Sequence, residues 1–443
     1  MDAVKSKTST VFISYAIPSV FGMLAISSAS VVDGYFVGNY IGAVGLAAIN
    51  IAMPVFSLMF GLALMLSIGS SVISGKLMAE GDTSSASVIF TKTVITMILL
   101  SLSIITLLYL NLSNIINLFK VTPELFALVK TYLTYILIFI PFLMVGLVLD
   151  YFVKIDNRPS LAFFALLLSA VINIVLDWYF IIYLEQGIMG AALATGISQL
   201  ALIIVLLPHF FQKQATIRFV KPTGSWIQMI KSMNNGASEF VNEMSVGITT
   251  IIFNYVLLQS LGVNGLGAYT VVNYILMISI MINFGISDSL QPIISKNFGA
   301  KQPQRITSFL KYAASSVSIV GIIIVAFVLL APEVLTDIFL ESKDEDTITI
   351  VLEFMSLIWP AFLFNGINMV ISAYFTALHK PIPSAIIAIS RSLILPVLFI
   401  TILPIFLGQK GIFLAIPLGE FFTFVLALSL FKSRTPEQIV TIM

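Results

Sequence analysis

The chain alternates between long apolar runs and short polar segments. Residues 201–211 (ALIIVLLPHFF) and 319–330 (IVGIIIVAFVLL) are typical, and neither shows the two-residue alternation of a membrane β-strand. Only helices and closed barrels satisfy their backbone groups inside lipid, so continuous apolar runs indicate membrane helices. The pattern predicts an all-α polytopic membrane protein with twelve transmembrane helices, at about residues 9–36, 46–76, 86–110, 125–155, 160–183, 188–211, 234–260, 266–297, 305–331, 347–378, 382–406 and 411–431.

Composition supports this interpretation and excludes several classes of function. Hydrophobic residues make up 59% of the 443 residues and charged residues only 10%, whereas a soluble domain averages about 25% charged residues. The formal net charge of +1 gives no field that would attract nucleic acid. With no cysteine and only two histidines, His209 and His379, the chain offers no thiolate chemistry and no histidine-based metal centre. We expect a protein that is not an enzyme, needs no cofactor and binds no nucleic acid.

Lysine and arginine are concentrated at alternate ends of the predicted helices. With the N-terminus inside, only Lys120, Lys130, Lys343 and Lys410 fall on the outer side, which leaves 18 of the 22 basic residues on the inner side. Cytoplasmic loops carry such an excess. The distribution predicts a multi-pass plasma (inner) membrane protein with both termini in the cytoplasm.

The sequence also matches itself. Residues 42–50 (GAVGLAAIN) align with 262–270 (GVNGLGAYT), and 187–195 (GIMGAALAT) with 408–416 (GQKGIFLAI), so the offset is nearly the same at both places. Two halves of six helices enter the membrane the same way up, which predicts two six-helix bundles related by a pseudo-two-fold axis along the membrane normal. The predicted segments are an N-lobe at 1–211 (helices 1–6), a cytoplasmic linker at 212–233 and a C-lobe at 234–443 (helices 7–12). A cleft between two such bundles is typical of a transporter with alternating access.

Ionisable side chains inside predicted spans are candidate functional groups, because they are costly in lipid. In the first half, two acids, an amide and a hydroxyl lie ~5–15 Å below the outer helix ends at a rise of ~1.5 Å per residue. Asn173 and Asp177 are four residues apart and share one helix face. Such oxygens suit a hard cation such as Na⁺, and equally a proton shared between the two acids. The sequence predicts a cation-binding site at Asp33, Asn173, Asp177 and Thr195.

A second set of acids lies in other predicted spans. Glu239 and Glu243 are four residues apart and lie, with Asp288, toward the inner face of the second half. Framework glycines and prolines recur at the repeat offset whereas the acids do not, which favours a functional role for the acids. We predict that substrate contact or proton relay involves Glu239, Glu243, Asp288, Asp150 and Glu420.

Two further residues inside predicted helices have distinctive chemistry. Pro18 lies on the same helix as Asp33, about four helical turns earlier, and proline removes a backbone hydrogen bond and kinks a helix. We predict that Pro18 is a hinge that responds to ion binding. Arg391 is expected to extend its side chain to the inner membrane surface.

Several segments together indicate a family. The chain resembles the MATE (multidrug and toxic compound extrusion) transporters, and most of all their MepA-type bacterial drug exporters. The resemblance is carried, in order, by 32–54 (VDGYFVGNYIGAVGLAAINIAMP), 173–178 (NIVLDW), 190–199 (GAALATGISQ), 235–240 (NGASEF) and 285–300 (GISDSLQPIISKNFGA). It implies a twelve-helix, two-lobe antiporter driven by Na⁺ or H⁺. It also implies an N-lobe cation site at Asp33, Asn173, Asp177 and Thr195, and bending of the first helix at Pro18.

The expected function is therefore cation-coupled efflux of amphipathic, often cationic drugs by a monomer in the lipid bilayer. The 35 phenylalanines and 17 methionines would give a cleft that adapts to varied apolar and cationic ligands. Two alternatives remain open. One is a flippase for lipid-linked saccharides from the same superfamily, which would need a basic cavity. The other is a major-facilitator-type carrier, whose usual basic motif between helices 2 and 3 is replaced by residues 75–82 (GKLMAEGD).

Overall fold

The computed structural model describes residues 2–334 and 345–441, and every regular element within these ranges is a helix. The helices are α1 Thr8–Tyr40, α2 Ala43–Ala79, α3 Thr83–Leu118, α4 Pro123–Ile155, α5 Pro159–Tyr183, α6 Gly187–Phe211, α7 Ile227–Gly262, α8 Asn264–Gly299, α9 Pro303–Leu330, α10 Glu345–Ile358, α11 Pro360–Ala377, α12 Pro381–Leu407, α13 Gln409–Lys432 and α14 Pro436–Thr441. Five of the long helices begin with proline, whose missing N–H group is not needed in the first turn.

The described helices account for the twelve predicted spans. Eleven are individually long and apolar enough to cross a bilayer, and α10 and α11, bent by 52° at Trp359, make the twelfth when taken as one span. The predicted continuous helix over 347–378 is thus broken, because Pro360 has no N–H group to donate back into α10. The all-α fold with twelve membrane helices is confirmed.

The backbone repeats the offset found in the sequence. Gly42, between α1 and α2, has φ 90° and ψ −175°, and Gly262, between α7 and α8, has φ 65° and ψ −157°. This region is accessible essentially to glycine alone. Gly187 and Gly408, a second pair at nearly the same offset, also have positive φ, at 56° and 58°. The chain therefore turns in the same way at corresponding points of its two halves, as expected for a duplicated framework.

The helices pack into two compact units. Unit 1 contains Met1–Lys5 and Phe21–Phe240, and unit 2 contains Ser6–Val20 and Val241–Met443. The first part of α1 thus belongs to unit 2, and the first part of α7 belongs to unit 1. The lobe and linker limits predicted from loops in the sequence stay a prediction.

Close helix crossings hold the exchanged segments in their units. In unit 1, a Cβ atom on Gly236 of α7 would lie 1.9 Å from the carbonyl oxygen of Met65 on α2, and Gly69 makes the reciprocal contact. In unit 2, a Cβ atom on Gly285 of α8 would lie 2.6 Å from the Cα atom of Val20 on α1. Membrane helices associate by such close contacts at small residues. Glycine at these positions is therefore a packing requirement.

Each unit has its own aromatic core. In unit 1, the Phe90 ring lies 4.3 Å from that of Phe210 and 4.9 Å from that of Phe152 between centroids. In unit 2, the Phe354 and Phe413 rings stack at 4.3 Å. All five rings are fully buried, and truncating one such ring to alanine typically costs about 3–5 kcal/mol. These cores fix the helices on which the buried polar groups stand.

The segment between α6 and α7 is bound to unit 1 along much of its length. Backbone N–H groups of alternate residues donate to side-chain oxygens in the pairs Thr216–Asp156 (3.1 Å), Arg218–Ser87 (3.3 Å) and Val220–Thr91 (3.1 Å). Arg218 and Val220 are alternate residues of an extended segment, so their N–H groups point the same way. Ser87 and Thr91 are four residues apart on α3, so their side chains share one helix face and each can accept from one of these N–H groups. The buried Lys92 also donates to the carbonyl oxygen of Ser225 (2.9 Å).

Candidate functional site

The predicted acid pair lies at one depth in unit 1. Asp33 is seven residues before the end of α1 and Asp177 six before the end of α5, so they lie ~10 and ~9 Å from those ends at ~1.5 Å per residue. Helix α1 extends to Tyr40, beyond the predicted end at residue 36, and this moves Asp33 deeper to the level of Asp177. The two residues are therefore inside the membrane span.

The two carboxyl groups are neighbours in the folded chain. The side chains of Asp33 and Asp177 are close enough to act on each other electrostatically, and Asp177 is completely buried. Two ionised carboxylates are acceptors only and repel each other, so a proton or a small cation beside them would relieve the repulsion. Among the described residues, no donor reaches Oδ1 of Asp33 or either oxygen of Asp177, although all three atoms are buried. The pair can hold a proton or a small cation.

Asn173 and Thr195 make no described hydrogen bond to this pair. Asn173 is buried one helical turn before Asp177, and its Nδ2 has no acceptor among the described residues. Thr195 on α6 is half-buried, and its carbonyl accepts a hydrogen bond from Ser198 (2.7 Å). The carbonyl of Ser198 accepts one from Ser169 on α5 (2.7 Å), which ties α5 to α6. The four-residue ligand set stays a prediction. Within it, Asp33 and Asp177 are the two residues that act on each other in the structure.

Tyr132 on α4 is a neighbour of the acid pair that the search for intramembrane acids missed. It is buried, and both carboxyl groups act on it electrostatically. Tyr132 is nine residues after Pro123, the start of α4, which places it ~13 Å from the outer end by the same ~1.5 Å rise. Applying the depth rule to aromatic hydroxyls would have found it.

The backbone is irregular directly after Asp177. The α-helical part of α5 ends at Asp177, and Trp178–Tyr183 continues as a π-helix. Such segments change the direction in which side chains leave a helix and are frequent at functional sites. The irregularity lies at the acid itself, which supports Asp177 as a functional position.

The remaining predicted acids stand on four different helices, and their roles in substrate contact or proton relay stay a prediction. Glu239 belongs to unit 1 and Glu243 to unit 2, although they are one turn apart on α7, and both are half-buried. Asp288 is buried on α8 in unit 2. Asp150 forms a buried ion pair with Lys154 at 2.7 Å, four residues later on α4. No described group of three or more acids and histidines has the geometry to hold a metal ion.

Glu420 has a charged partner that we did not expect. The Arg391 Nε atom lies 3.0 Å from Oε1 of Glu420, and both side chains are about nine-tenths buried. The expectation that Arg391 extends to the membrane surface is therefore wrong. A buried carboxylate attracts the guanidinium more strongly than the distant interface does, because their interaction is unscreened.

Pro18 lies in the part of α1 that belongs to unit 2, three residues before unit 1 resumes at Phe21. The proline offers no N–H group to the helix ladder at this position, so the helix is locally weaker there. The hinge at Pro18 stays a prediction, and its place beside the change of unit agrees with it.

A family comparison matches this architecture. The MatE family model matches residues 18–179 and 239–402, which together cover most of the chain. The chain belongs to the MatE family. The two matches begin at residues 18 and 239, which reproduces the offset of the internal repeat. The flippase and the major-facilitator carrier are not favoured by this match.

Relatives and solved structures agree with the family. The multidrug export proteins MepA of Staphylococcus aureus (strain MSSA476) and Staphylococcus haemolyticus (strain JCSC1435) are each 22% identical to this chain. The alignments cover 89% and 92% of this chain and 88% and 89% of those proteins. An outward-facing multidrug resistance MATE family transporter superposes with a TM-score of 0.92 at 20% identity, over 99% of this chain and 98% of that one. A MATE structure in complex with MaL6 gives 0.93 at 20% identity with the same coverage. The resemblance is confirmed, and this MatE protein is a transporter and not an enzyme.

Proposed function

We propose that this MatE protein is a multidrug efflux antiporter that exchanges H⁺ or Na⁺ for amphipathic, often cationic compounds. One observation carries the proposal: Asp33 and Asp177 are neighbouring acids, and three of their oxygens are buried without a hydrogen bond from any described residue. Two buried acids without donors need a positive charge from outside the chain. A cation that enters from solution supplies it.

Coupling follows when the cation and the drug stabilise different conformations. A ligand that binds both conformations equally cannot drive exchange, so the charge on Asp33 and Asp177 must alter their relative stability. One monovalent ion that enters down a potential of ~100 mV supplies ~2.3 kcal/mol. At a factor of ten per ~1.4 kcal/mol, this sustains a drug gradient of roughly 50-fold.

The remaining predicted positions have places in this cycle. Asn173 and Thr195 supply an amide and a hydroxyl oxygen for a hard cation beside the acids. Glu239, Glu243 and Asp288 contact cationic substrate or relay protons. Bending of α1 at Pro18 accompanies cation exchange at Asp33, which lies on the same helix.

The substrate class is supported by two features. The relatives that align along nearly the whole chain are named multidrug export proteins. Asp33 and Asp177, the buried acid pair of unit 1, favour cationic compounds over anionic ones. We further propose a monomer in the plasma (inner) membrane with both termini in the cytoplasm, because the basic residues lie mainly on that side. Neither the carboxyl pair nor the proposed exchange needs a bound cofactor.

Dye efflux from cells tests the acid pair. Cells that express Asp33→Asn or Asp177→Asn are expected to retain a fluorescent cationic dye as cells without the transporter do, because each variant removes one carboxylate of the exchanging pair. Glu80→Gln is the matched control, since Glu80 is an exposed acid of unit 1 that pairs with Lys76 at 3.7 Å. Wild-type efflux by Asp177→Asn, at equal amounts in the membrane, would contradict the proposal.

Proteoliposomes separate the two cations. Purified transporter is reconstituted, and dye movement is measured under an imposed pH gradient and, separately, under an imposed Na⁺ gradient. We expect one of the two gradients to drive accumulation, and Asp177→Asn to abolish it. Equal transport with neither gradient present would indicate facilitated diffusion and reject coupling.

A further inference from the structure

Unit 2 contains a buried basic side chain that the coupling mechanism does not use. Arg391 is ten residues after the start of α12, ~15 Å into the helix at ~1.5 Å per residue. It lies in the π-helical segment Ser390–Ile394 that interrupts α12, and only 11% of its side chain is exposed. An arginine keeps its charge in proteins, so this site is permanently cationic.

The arginine and its partners satisfy one carboxylate completely. Arg391 Nε lies 3.0 Å from Oε1 of Glu420, and Asn368 Nδ2 donates to Oε2 at 2.7 Å. The same Nδ2 lies 2.9 Å from the Glu420 carbonyl oxygen. Each carboxylate oxygen of Glu420 therefore has a donor, and the three residues come from three different helices, α12, α13 and α11.

Neighbouring polar contacts hold this arrangement in place. Asn365, one turn before Asn368 on α11, accepts a hydrogen bond from Asn283 of α8 at 2.7 Å. Thr249 of α7 donates to the Ser392 carbonyl oxygen at 2.5 Å, inside the π-helical segment. The ion pair is thus supported from α7 and α8 as well. Such a cluster positions charge within unit 2.

We propose that Arg391 is a built-in counter-cation that keeps Glu420 ionised and excludes it from cation exchange. Glu420 then has the positive partner that Asp33 and Asp177 must obtain from solution. The further consequence, which rests on the proposed function, is that the exchanged cation binds at the acid pair of unit 1. Arg391 is a positioning residue: it acts on transport through Glu420 and the packing of α11, α12 and α13.

Carbodiimide labelling tests the proposal directly. Dicyclohexylcarbodiimide reacts with protonated carboxyl groups in apolar surroundings and spares carboxylates held in ion pairs, and peptide mass spectrometry reports each acid separately. In the wild-type transporter we expect label on Asp33 or Asp177 and none on Glu420. Asp150 is an internal control, since Lys154 gives it a resident partner. Labelling of Glu420 as fast as Asp177 in the wild type would overturn the proposal without any variant.

Removing the counter-cation should expose Glu420 to the reagent. In Arg391→Gln we expect labelling of Glu420 to rise at least about tenfold, a change that needs only ~1.4 kcal/mol in the protonation equilibrium. Arg391→Lys keeps the positive charge and should stay close to the wild type. No rise in a folded Arg391→Gln protein whose Asp177 still reacts would overturn the proposal.

Two further readouts separate this inference from a packing role and from the proposed function. If charge balance matters, Arg391→Gln/Glu420→Gln should recover several-fold more dye efflux than either single variant, whereas a packing role predicts additive losses. Additive losses would therefore contradict the inference. If Asp33 and Asp177 stay unlabelled in Na⁺-free buffer while Glu420 behaves as described, the proposed coupling site fails and the counter-cation role of Arg391 stands.

Discussion

Units 1 and 2 each have a π-helical segment in the fifth membrane helix of their half of the chain. In α5 the residue before this segment is Asp177, which contacts a second acid, Asp33. In α12 the segment contains Arg391, which contacts Glu420. The duplicated framework therefore carries an acid in one half and a base in the other. At the repeat offset of 221 residues Arg391 aligns with Ala170 and not with Asp177, which teaches that individual substitutions, and not the repeat itself, determine where a polar group stands and whether it exchanges a cation.

The difference has opposite consequences for stability. A buried ion pair with satisfied hydrogen bonds tolerates its burial, but loss of one partner leaves an uncompensated charge. Two neighbouring acids without donors are a burden to the fold that a bound proton or cation relieves. We therefore expect the Arg391–Glu420 ion pair to be needed for the stability of unit 2, whereas the Asp33–Asp177 pair lowers the stability of unit 1 until a cation binds.

The largest expected effect is in unit 2. Glu420→Gln leaves Arg391 buried with a neutral partner and should lower the free energy of unfolding by about 3–5 kcal/mol. Thermal unfolding in detergent measures this. The double variant Arg391→Gln/Glu420→Gln should recover most of the loss, and Glu80→Gln serves as the surface control. An unchanged melting temperature for Glu420→Gln would remove the contrast between the units.

The second effect tests what the units share. Gly236→Ala in unit 1 and Gly285→Ala in unit 2 each place a methyl group against a backbone, and should each destabilise by about 2 kcal/mol. Gly247→Ala on α7 is the matched control, because nothing lies within 4 Å of its added Cβ atom. The control should gain up to about 1 kcal/mol from helix propensity. Equal stability of all three variants would show that the close crossings are not needed.

The third effect has the opposite sign to the first. Asp177→Asn removes a buried acid without a donor and should raise the free energy of unfolding by about 1 kcal/mol in Na⁺-free buffer, while dye efflux is lost. The same thermal unfolding assay detects it. A loss of stability as large as that of Glu420→Gln would mean that Asp177 has a structural partner.

The smallest effect concerns Tyr132. Tyr132→Phe keeps the buried ring and removes the hydroxyl beside the two acids, so it should change stability by less than about 1 kcal/mol. We expect the pH at which efflux is half-maximal to shift upward, because losing a polar hydroxyl makes the surroundings of Asp33 and Asp177 less polar and favours their protonated forms. Phe142→Leu, an aromatic substitution further along α4, is the control. An unchanged pH profile would exclude Tyr132 from the site.

Much of the fold follows from sequence because the membrane enforces it. Long apolar runs have few alternatives in lipid, and the internal repeat reappears in the backbone at Gly42 and Gly262. The sequence did not predict the break at Trp359 within one apolar run. It also did not predict the exchange of the first parts of α1 and α7, because that depends on which backbones meet at Gly236 and Gly285.

The sequence predicted the places of some buried charged residues correctly and of others not. Asp33 and Asp177 could be paired because depth along two helices is a simple count from their ends. Arg391 could not be placed that way, because its position depends on a partner in the following helix, Glu420. Sequence depth gives the level of a side chain in the membrane but not the direction in which it points.

The exchanged first parts of α1 and α7 constrain how this protein is made. Residues 6–20 belong to a unit whose other helices are synthesised only after Phe240. An N-terminal six-helix fragment would therefore emerge with one helix only partly packed and without the segment from α7 that its own core requires. Assembly can finish only after the ribosome has delivered both halves, so the two fragments expressed separately should fold together or not at all.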